Sequence, residues 1–145
     1  MIKTEKEYIE FKKRLEQEFK ALEDHQKKMK QAGMTKEQIQ LAIDPLASFT
    51  LQLKEEVEKY EKLKRGQFEV IENLNGIGHT LVALRIFKGM KQKDLAKKLG
   101  VLEAQVSRDE RNEYHGSSIE KIQKVLDALG VKLKTAVETG YLDAV

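Results

Sequence analysis

Tyr8, Phe11, Leu15, Phe19, Leu22 and Met29 recur at steps of three, four or seven residues. That spacing lays one apolar stripe along an α-helix, with Lys and Glu on the other faces. Thr4-Glu5-Lys6-Glu7 in front of it is a capping box, and Gly33 behind it is a helix stop. Thr35 to Gln38 form a second capping box, which starts a short helix through Ile39 and Ile43. Asp44-Pro45 then predicts a new N-cap with Pro at the first helical position. The next stripe is Leu46, Phe49, Leu53, Val57, Tyr60 and Leu63, ending at Gly66. One helix kinked at Pro45 is the alternative. Residues 1–66 are thus predicted to form an antiparallel helical hairpin. Two helices cannot bury both stripes alone, so the leftover edge calls for a second copy or another partner. The alternative is that the stripe packs on the C-terminal part of the same chain.

Residues 67–78, "QFEVIENLNGIG", form a connector. Phe68, Val70, Ile71 and Leu74 suit one short helical turn, and Asn75-Gly76 and Gly78 mark a corner. Shorter elements follow over 79–131. His79–Lys88 is a helix closed by Gly89, Gln92–Leu99 one closed by Gly100, and Leu102–Asn112 a third. After a loop at Tyr114-His115-Gly116, the Ser117 to Glu120 stretch reads as a third capping box. It opens a helix with Ile119, Ile122, Val125, Leu126 and Leu129 inward, stopped by Gly130. In residues 132–145, with Val131 before them, the period changes to two: Val131, Leu133, Thr135 and Val137 alternate with Lys132, Lys134, Ala136 and Glu138. That predicts a short strand, which needs a pairing partner, such as its own copy in a dimer.

Composition narrows the class. Of 145 residues, 35% are charged, which suits long solvated helices, and a single Pro and nine Gly argue against a disordered chain. Cysteine is absent, so there is neither a disulfide frame nor a thiolate ligand or nucleophile. No apolar run approaches the ~20 residues of a membrane span, and "MIKTEKEYIEFKKRL" lacks the apolar core of a signal peptide. A cytoplasmic protein is the expectation. The net charge of +3 is unevenly spread. Residues 1–75 carry 15 basic and 15 acidic side chains, whereas residues 79–112 carry eight basic against four acidic.

That basic stretch holds the candidate chemistry. In "QKDLAKKLGVLEAQVSRDER", Leu95, Ala96 and Leu99 put an apolar face on the first helix. Gly100 permits a left-handed turn, Val101 plugs the corner and Val106 anchors the second helix. Two helices so joined form a helix-turn-helix, whose second helix enters the major groove while the first crosses the phosphate backbone. Glu103, Ala104, Gln105, Ser107, Arg108 and Arg111 are the candidate readers of base edges, with Arg108, Glu103, Ala104 and Ser107 foremost. Arg bonds guanine bidentately, Gln adenine, Glu accepts from cytosine, and Ala touches a thymine methyl. Gln92 and Lys93 stand at a helix N-terminus, where backbone N–H groups suit phosphate. Lys88, Lys91, Lys97 and Lys98 add diffuse attraction.

"LRIFKGMKQKDLAKKLGVLEAQVSRDER" resembles the Xre/Cro/phage-repressor helix-turn-helix family, over roughly residues 77–131. The matching positions are Leu84-Arg85, Gly89, Met90, Gln92, Leu95-Ala96, Gly100-Val101, Val106-Ser107 and Glu110. The resemblance implies a mainly α fold: an N-terminal helical hairpin joined to a C-terminal lambda-repressor-like bundle. It also implies an ion pair between Arg85 and Glu110. Three positions depart from the family pattern. Lys91 stands where Ser or Thr caps a helix, leaving a cap unmet or supplied by Gln92. Leu102 replaces a Ser. Asp109 replaces a large apolar residue, so it is either turned outward or shares Arg85 with Glu110. The opening "IKTEKEYIEFKKRLEQ" and the overall layout resemble HigA-type antitoxins, which bind a small ribonuclease toxin and repress their own operon as dimers.

Other chemistries are poorly supported. His25, His79 and His115 have no second ligand at metal spacing. Ser107 has no Gly-rich elbow and no acid completing a triad with His115. "NGIG" does not follow a strand and is too short for a nucleotide loop. No enzyme, cofactor or metal is expected, and no membrane. The expected partners are double-stranded DNA with a palindromic operator, a second copy in a homodimer, and a protein toxin. The function reads as a sequence-specific transcriptional regulator, with a repressor preferred and an activator the open alternative, and with autoregulation as an antitoxin within that reading. A helical interaction module using the helix-turn-helix only as a scaffold is the competing class.

Overall fold

The computed structural model describes residues 1–140. Among them six helices follow one another: α1 (Glu5–Gln31), α2 (Lys36–Lys64), α3 (Ile77–Phe87), α4 (Gln92–Leu99), α5 (Glu103–Arg111) and α6 (Ile119–Leu129). Among the described residues there is no strand, and no helix is long and apolar enough to cross a membrane.

Both N-terminal capping boxes are made, Thr4 with Glu7 and Thr35 with Gln38. The new helix predicted at Asp44-Pro45 does not start there. α2 runs on through Pro45, as in the alternative reading. The reason lies in its buried residues, Ile43, Thr50, Leu53, Val57 and Tyr60, which keep one seven-residue rhythm across the proline. Breaking the helix would take Ile43 out of phase with the rest. Asp44 stays helical and accepts the Gln40 amide instead of capping.

α1 and α2 pack against each other along the hairpin, and only the base of the hairpin reaches the C-terminal bundle. There Val57 and Tyr60 of α2 join Leu81, Val82, Leu84 and Ile86 of α3, Leu95 and Ala96 of α4, Val106 of α5, and Val125, Leu126 and Leu129 of α6 in one core. Tyr8 stacks on Tyr60 with ring centroids 4.8 Å apart. The Tyr8 hydroxyl donates to Glu61 (2.7 Å) and the Tyr60 hydroxyl to Glu5 (3.0 Å). α1 itself contributes no fully buried residue, and Ile9, Phe19, Leu41, Leu46, Phe49 and Leu51 stay exposed along the hairpin.

Elsewhere the sequence reading needs correction. α3 begins at Ile77, so Gly78 lies inside a helix rather than at a corner. A Cβ on Gly78 would run into the backbone carbonyl of Glu113, which makes the glycine a close-approach site. α6 is capped by Ser118, whose hydroxyl accepts from the Lys121 N–H (3.1 Å), one residue later than predicted. The shift turns Ile119 outward, to 78% exposure. Residues 131–139 are not a strand: no sheet edge lies beside them to accept their hydrogen bonds. The last five residues of the predicted strand-and-tail segment lie outside the described residues.

Candidate nucleic-acid interface

The corner between α4 and α5 is built by backbone chemistry. Gly100 takes φ 68°, ψ 31°, a left-handed conformation that suits a residue without Cβ. Its N–H reaches the Lys97 carbonyl (3.3 Å) and the Val101 N–H the Ala96 carbonyl (3.0 Å), the pair of bonds that closes a Schellman turn. Ala96, 3% exposed, lies in the core on the apolar face predicted for α4. Val101 does not plug the corner; it is 43% exposed. Leu99 packs against the core in its place, because the turn rotates Val101 off the α4 apolar face. Leu102 occupies the N-cap position of α5 without a side-chain hydrogen bond.

Lys91 lacks a capping oxygen, and Gln92 does not supply one. Asp94 does: its carboxylate accepts the Lys91 N–H at 2.9 Å. Acid at the third helical position was visible in the sequence as half of a capping box. The Gln92 amide is engaged elsewhere, donating to Glu110 Oε2 at 2.7 Å. Of the two residues read as phosphate contacts, only Lys93 presents a free, exposed side chain.

Arg85 and Glu110 meet as the resemblance implies, both buried. Arg85 Nε donates to Glu110 Oε1 and Nη2 to Oε2 (2.9 Å), a forked pair. Two further guanidinium hydrogens go to the Met90 carbonyl (2.8 Å) and the Lys3 carbonyl (2.7 Å). Lys3 in turn donates from Nζ to the Glu110 carbonyl (3.0 Å). The start of the hairpin is therefore bonded to α3 and α5, a link that no periodicity in the sequence signals.

Asp109 does not share Arg85. Its carboxylate pairs with Lys121 of α6 at 2.7 Å and accepts the Gln105 amide at 3.0 Å. The acid in an apolar position is thereby neutralised by a cation from the helix that packs beside it. Tyr114, which the sequence placed in a loop, is 5% exposed and seals the end of α5. Burial, reinforced by the nearby Glu110 and Asp109 charges, pushes its phenol above the usual tyrosine range. Glu113 and Tyr114 both take positive φ, 52° and 55°, which lets the chain reverse tightly after α5.

On α5 the helical rotation of 100° per residue separates three faces. Val106 and Glu110 point into the core. Gln105 and Asp109 lie on the flank toward α6. Glu103, Ala104, Ser107, Arg108 and Arg111 share the remaining arc of roughly 140°. Glu103, Ala104, Arg108 and Arg111 are exposed and Ser107 half-buried. Around this arc, Lys88, Lys91, Lys93, Lys97 and Lys98 are exposed, and none enters an ion pair among the described residues.

A helix-turn-helix family model matches residues 81–135. Residues 81–135 form a helix-turn-helix domain. That model describes the Xre, lambda-repressor-like type of helix-turn-helix, the kind that DNA-binding transcriptional regulators carry. No curated protein and no solved structure matches the chain. Within the matched residues α4 and α5 are the two helices joined by the Gly100 turn. Five of the predicted base-reading residues fall on the open arc, and the sixth, Gln105, is drawn aside by Asp109.

Proposed function

We propose that this chain is a sequence-specific transcriptional repressor that inserts α5 into the major groove of an operator. The observation that carries the reading is the open arc of Glu103, Ala104, Ser107, Arg108 and Arg111. Among the described residues those side chains make no ion pair, and their one side-chain hydrogen bond is a long 3.4 Å approach of Arg108 to Gln105. Exposed lysines flank them on α4 and its approach. Unpaired donors around a helix of major-groove width suit base edges, and the lysines suit phosphates. A packing scaffold would have no use for such a face. A two-fold pair of domains would read a palindrome with half-sites about 34 Å apart.

Selection of bound sites from random DNA, followed by a salt titration on the best site, tests the reading. The logarithm of affinity falls linearly with log salt, with a slope of about −0.9 per phosphate neutralised. A chain that shows no preference among random duplexes at modest ionic strength overturns it, and leaves the interaction-module reading.

The hairpin favours a second layer to this function. Ile9, Phe19, Leu41 and Leu51 are exposed on a helical arm that touches the DNA-binding domain only at its base. An apolar edge on such an arm suits a protein partner, in line with the antitoxin resemblance and with autoregulation of a toxin operon. Co-expression with a small basic ribonuclease encoded beside it, with and without residues 1–66, tests that layer. Capture that survives loss of the hairpin overturns it.

A further inference from the structure

Asp109 takes a position that the Xre-type pattern fills with a large apolar side chain, so packing alone does not account for its carboxylate. Its two oxygens are divided between two donors. Oδ2 meets Lys121 Nζ at 2.7 Å, and Oδ1 accepts from Gln105 Nε2 at 3.0 Å. Gln105 Oε1 in turn accepts from Arg108 Nη1 at 3.4 Å. Four side chains thus stand in one row, from α6 across the flank of α5 to its open arc. The row fixes which way the Gln105 amide points. The two ends of an amide are alike in size and differ in hydrogen bonding: one donates, the other accepts. A carboxylate only accepts and a guanidinium only donates. Asp109 therefore demands the NH2 end and Arg108 the carbonyl end. Turned round, the amide would set oxygen against oxygen on one side and N–H against N–H on the other. The spacings, four and three residues along α5, are those of neighbours on a helix face.

We propose that Asp109 and Lys121 are positioning residues for base reading: they fix the Gln105 amide so that its carbonyl steers Arg108, and the preference at the Arg108 base pair is set in part by two side chains that touch no DNA. The proposal rests on the reading that α5 enters the major groove. Within that reading Gln105 acts through Arg108 and not on a base of its own. Arg108 is exposed, and among the described residues its other N–H groups have neither a hydrogen bond nor an ion pair. One N–H held by Gln105 orients the guanidinium plane and leaves an edge for the paired acceptors of guanine. Lys121 is needed because Asp109 is 17% exposed: without a cation beside it, the carboxylate turns to water and releases the amide. Asparagine at 109 would be a different case. It has one acceptor where the carboxylate has two, and the charged Lys121 claims it. The Asn NH2 then faces Gln105, turns its amide round and presents N–H groups to Arg108.

The experiment measures base preference pair by pair, by competition between the best selected duplex and its single-pair variants, with the full-length chain. A ratio is read because Asp109→Asn adds a positive charge and raises affinity for every sequence. Gln105→Ala, Asp109→Asn and Lys121→Met are each expected to lower the preference by about threefold or more at the pair that Arg108→Ala identifies, and to leave the other pairs within about twofold. Placed in the Arg108→Ala background, the same changes are expected to alter that pair by less than about twofold. In the free chain, the side-chain amide protons of Gln105, followed by nitrogen-15 NMR, are expected to shift in Asp109→Asn and Lys121→Met. Full preference retained in both Asp109→Asn and Lys121→Met overturns the proposal. So does a loss that persists without Arg108, which would make Gln105 a reader in its own right, or a loss spread evenly over all pairs, which would mean a general structural role. Amide protons of Gln105 that ignore Asp109→Asn overturn it whatever the DNA result. A parent chain whose Gln105 amide responds to Asp109→Asn but which prefers no sequence sinks the operator reading, and with it the use proposed for this row, while the orientation of the amide stands.

Discussion

Removing the Glu110 carboxylate tests the reasoning about the domain's centre most directly. Glu110 is 0% exposed and accepts from Arg85 Nε and Nη2 and from Gln92 Nε2. Glu110→Ala deletes all three acceptor contacts and leaves a guanidinium, itself 2% exposed, with only the Met90 and Lys3 carbonyls. Breaking one side of a buried pair costs about 3–5 kcal/mol, mostly from the stranded charge. With a urea dependence of about 2 kcal/mol per molar, the unfolding midpoint should fall by roughly 1.5–2.5 M. Far-ultraviolet circular dichroism against urea measures it. Because the stranded charge is the main cost, removing both charges should be milder than either loss suggests. Arg85→Met with Glu110→Leu is expected to cost at least about 1 kcal/mol less than the sum of the two single changes. Glu110→Ala within about 1 kcal/mol of the parent, or a strictly additive pair, would refute the account.

Other consequences are equally open to measurement. Gly78→Ala forces a methyl into the Glu113 carbonyl, and should lower stability by about 1–3 kcal/mol or more in the same urea assay. The raised phenols of Tyr60 and Tyr114 owe their shift first to burial. Their stabilising effect is present in full below the unfolded tyrosine value of about 10 and is lost as pH rises past it. Urea midpoints should therefore drop above about pH 10, and Tyr114→Phe should flatten that drop. At the DNA face, Arg108→Ala should cost about 1–3 kcal/mol on the best operator and relax preference at one base pair. Lys93→Ala should weaken all sequences alike and reduce the salt slope by about 1. Lys121→Met should free Asp109 and with it Gln105, altering the base preference selected from random DNA without lowering the salt slope.

Local signals and long-range ones were legible to different degrees. The capping boxes at Thr4 and Thr35, the glycine turn at Gly100 and the stripe on α1 each depend on residues within one or two helical turns. Short-range chemistry of that kind is written in the order of the chain, and most helix boundaries were readable to within two residues. The recognition face was equally readable, because 100° per residue assigns Glu103, Ala104, Ser107, Arg108 and Arg111 to one side as soon as Val106 is known to be buried. The continuation of α2 through Pro45 was readable only as an alternative. Local propensity favours a break there, and the burial of Ile43 outweighs it.

Only the tertiary structure decided the partners of side chains distant in sequence. Lys121 lies far from Asp109 along the chain, and nothing in either neighbourhood marks the pair. The same holds for Lys3 against Arg85, for Tyr114 under the end of α5, and for Gly78 against Glu113. Gln92 illustrates the limit well: its place at a helix N-terminus suits phosphate, yet a buried carboxylate from α5 claims its amide first. Sequence by itself settled most of the helices this chain makes, the run of α2 through Pro45 apart, and which face of α5 is left open, since helical periodicity and capping act locally. Which charges are spent inside and which remain for a ligand was decided by the packing of α3, α5 and α6, since desolvation cost depends on what surrounds a group in three dimensions.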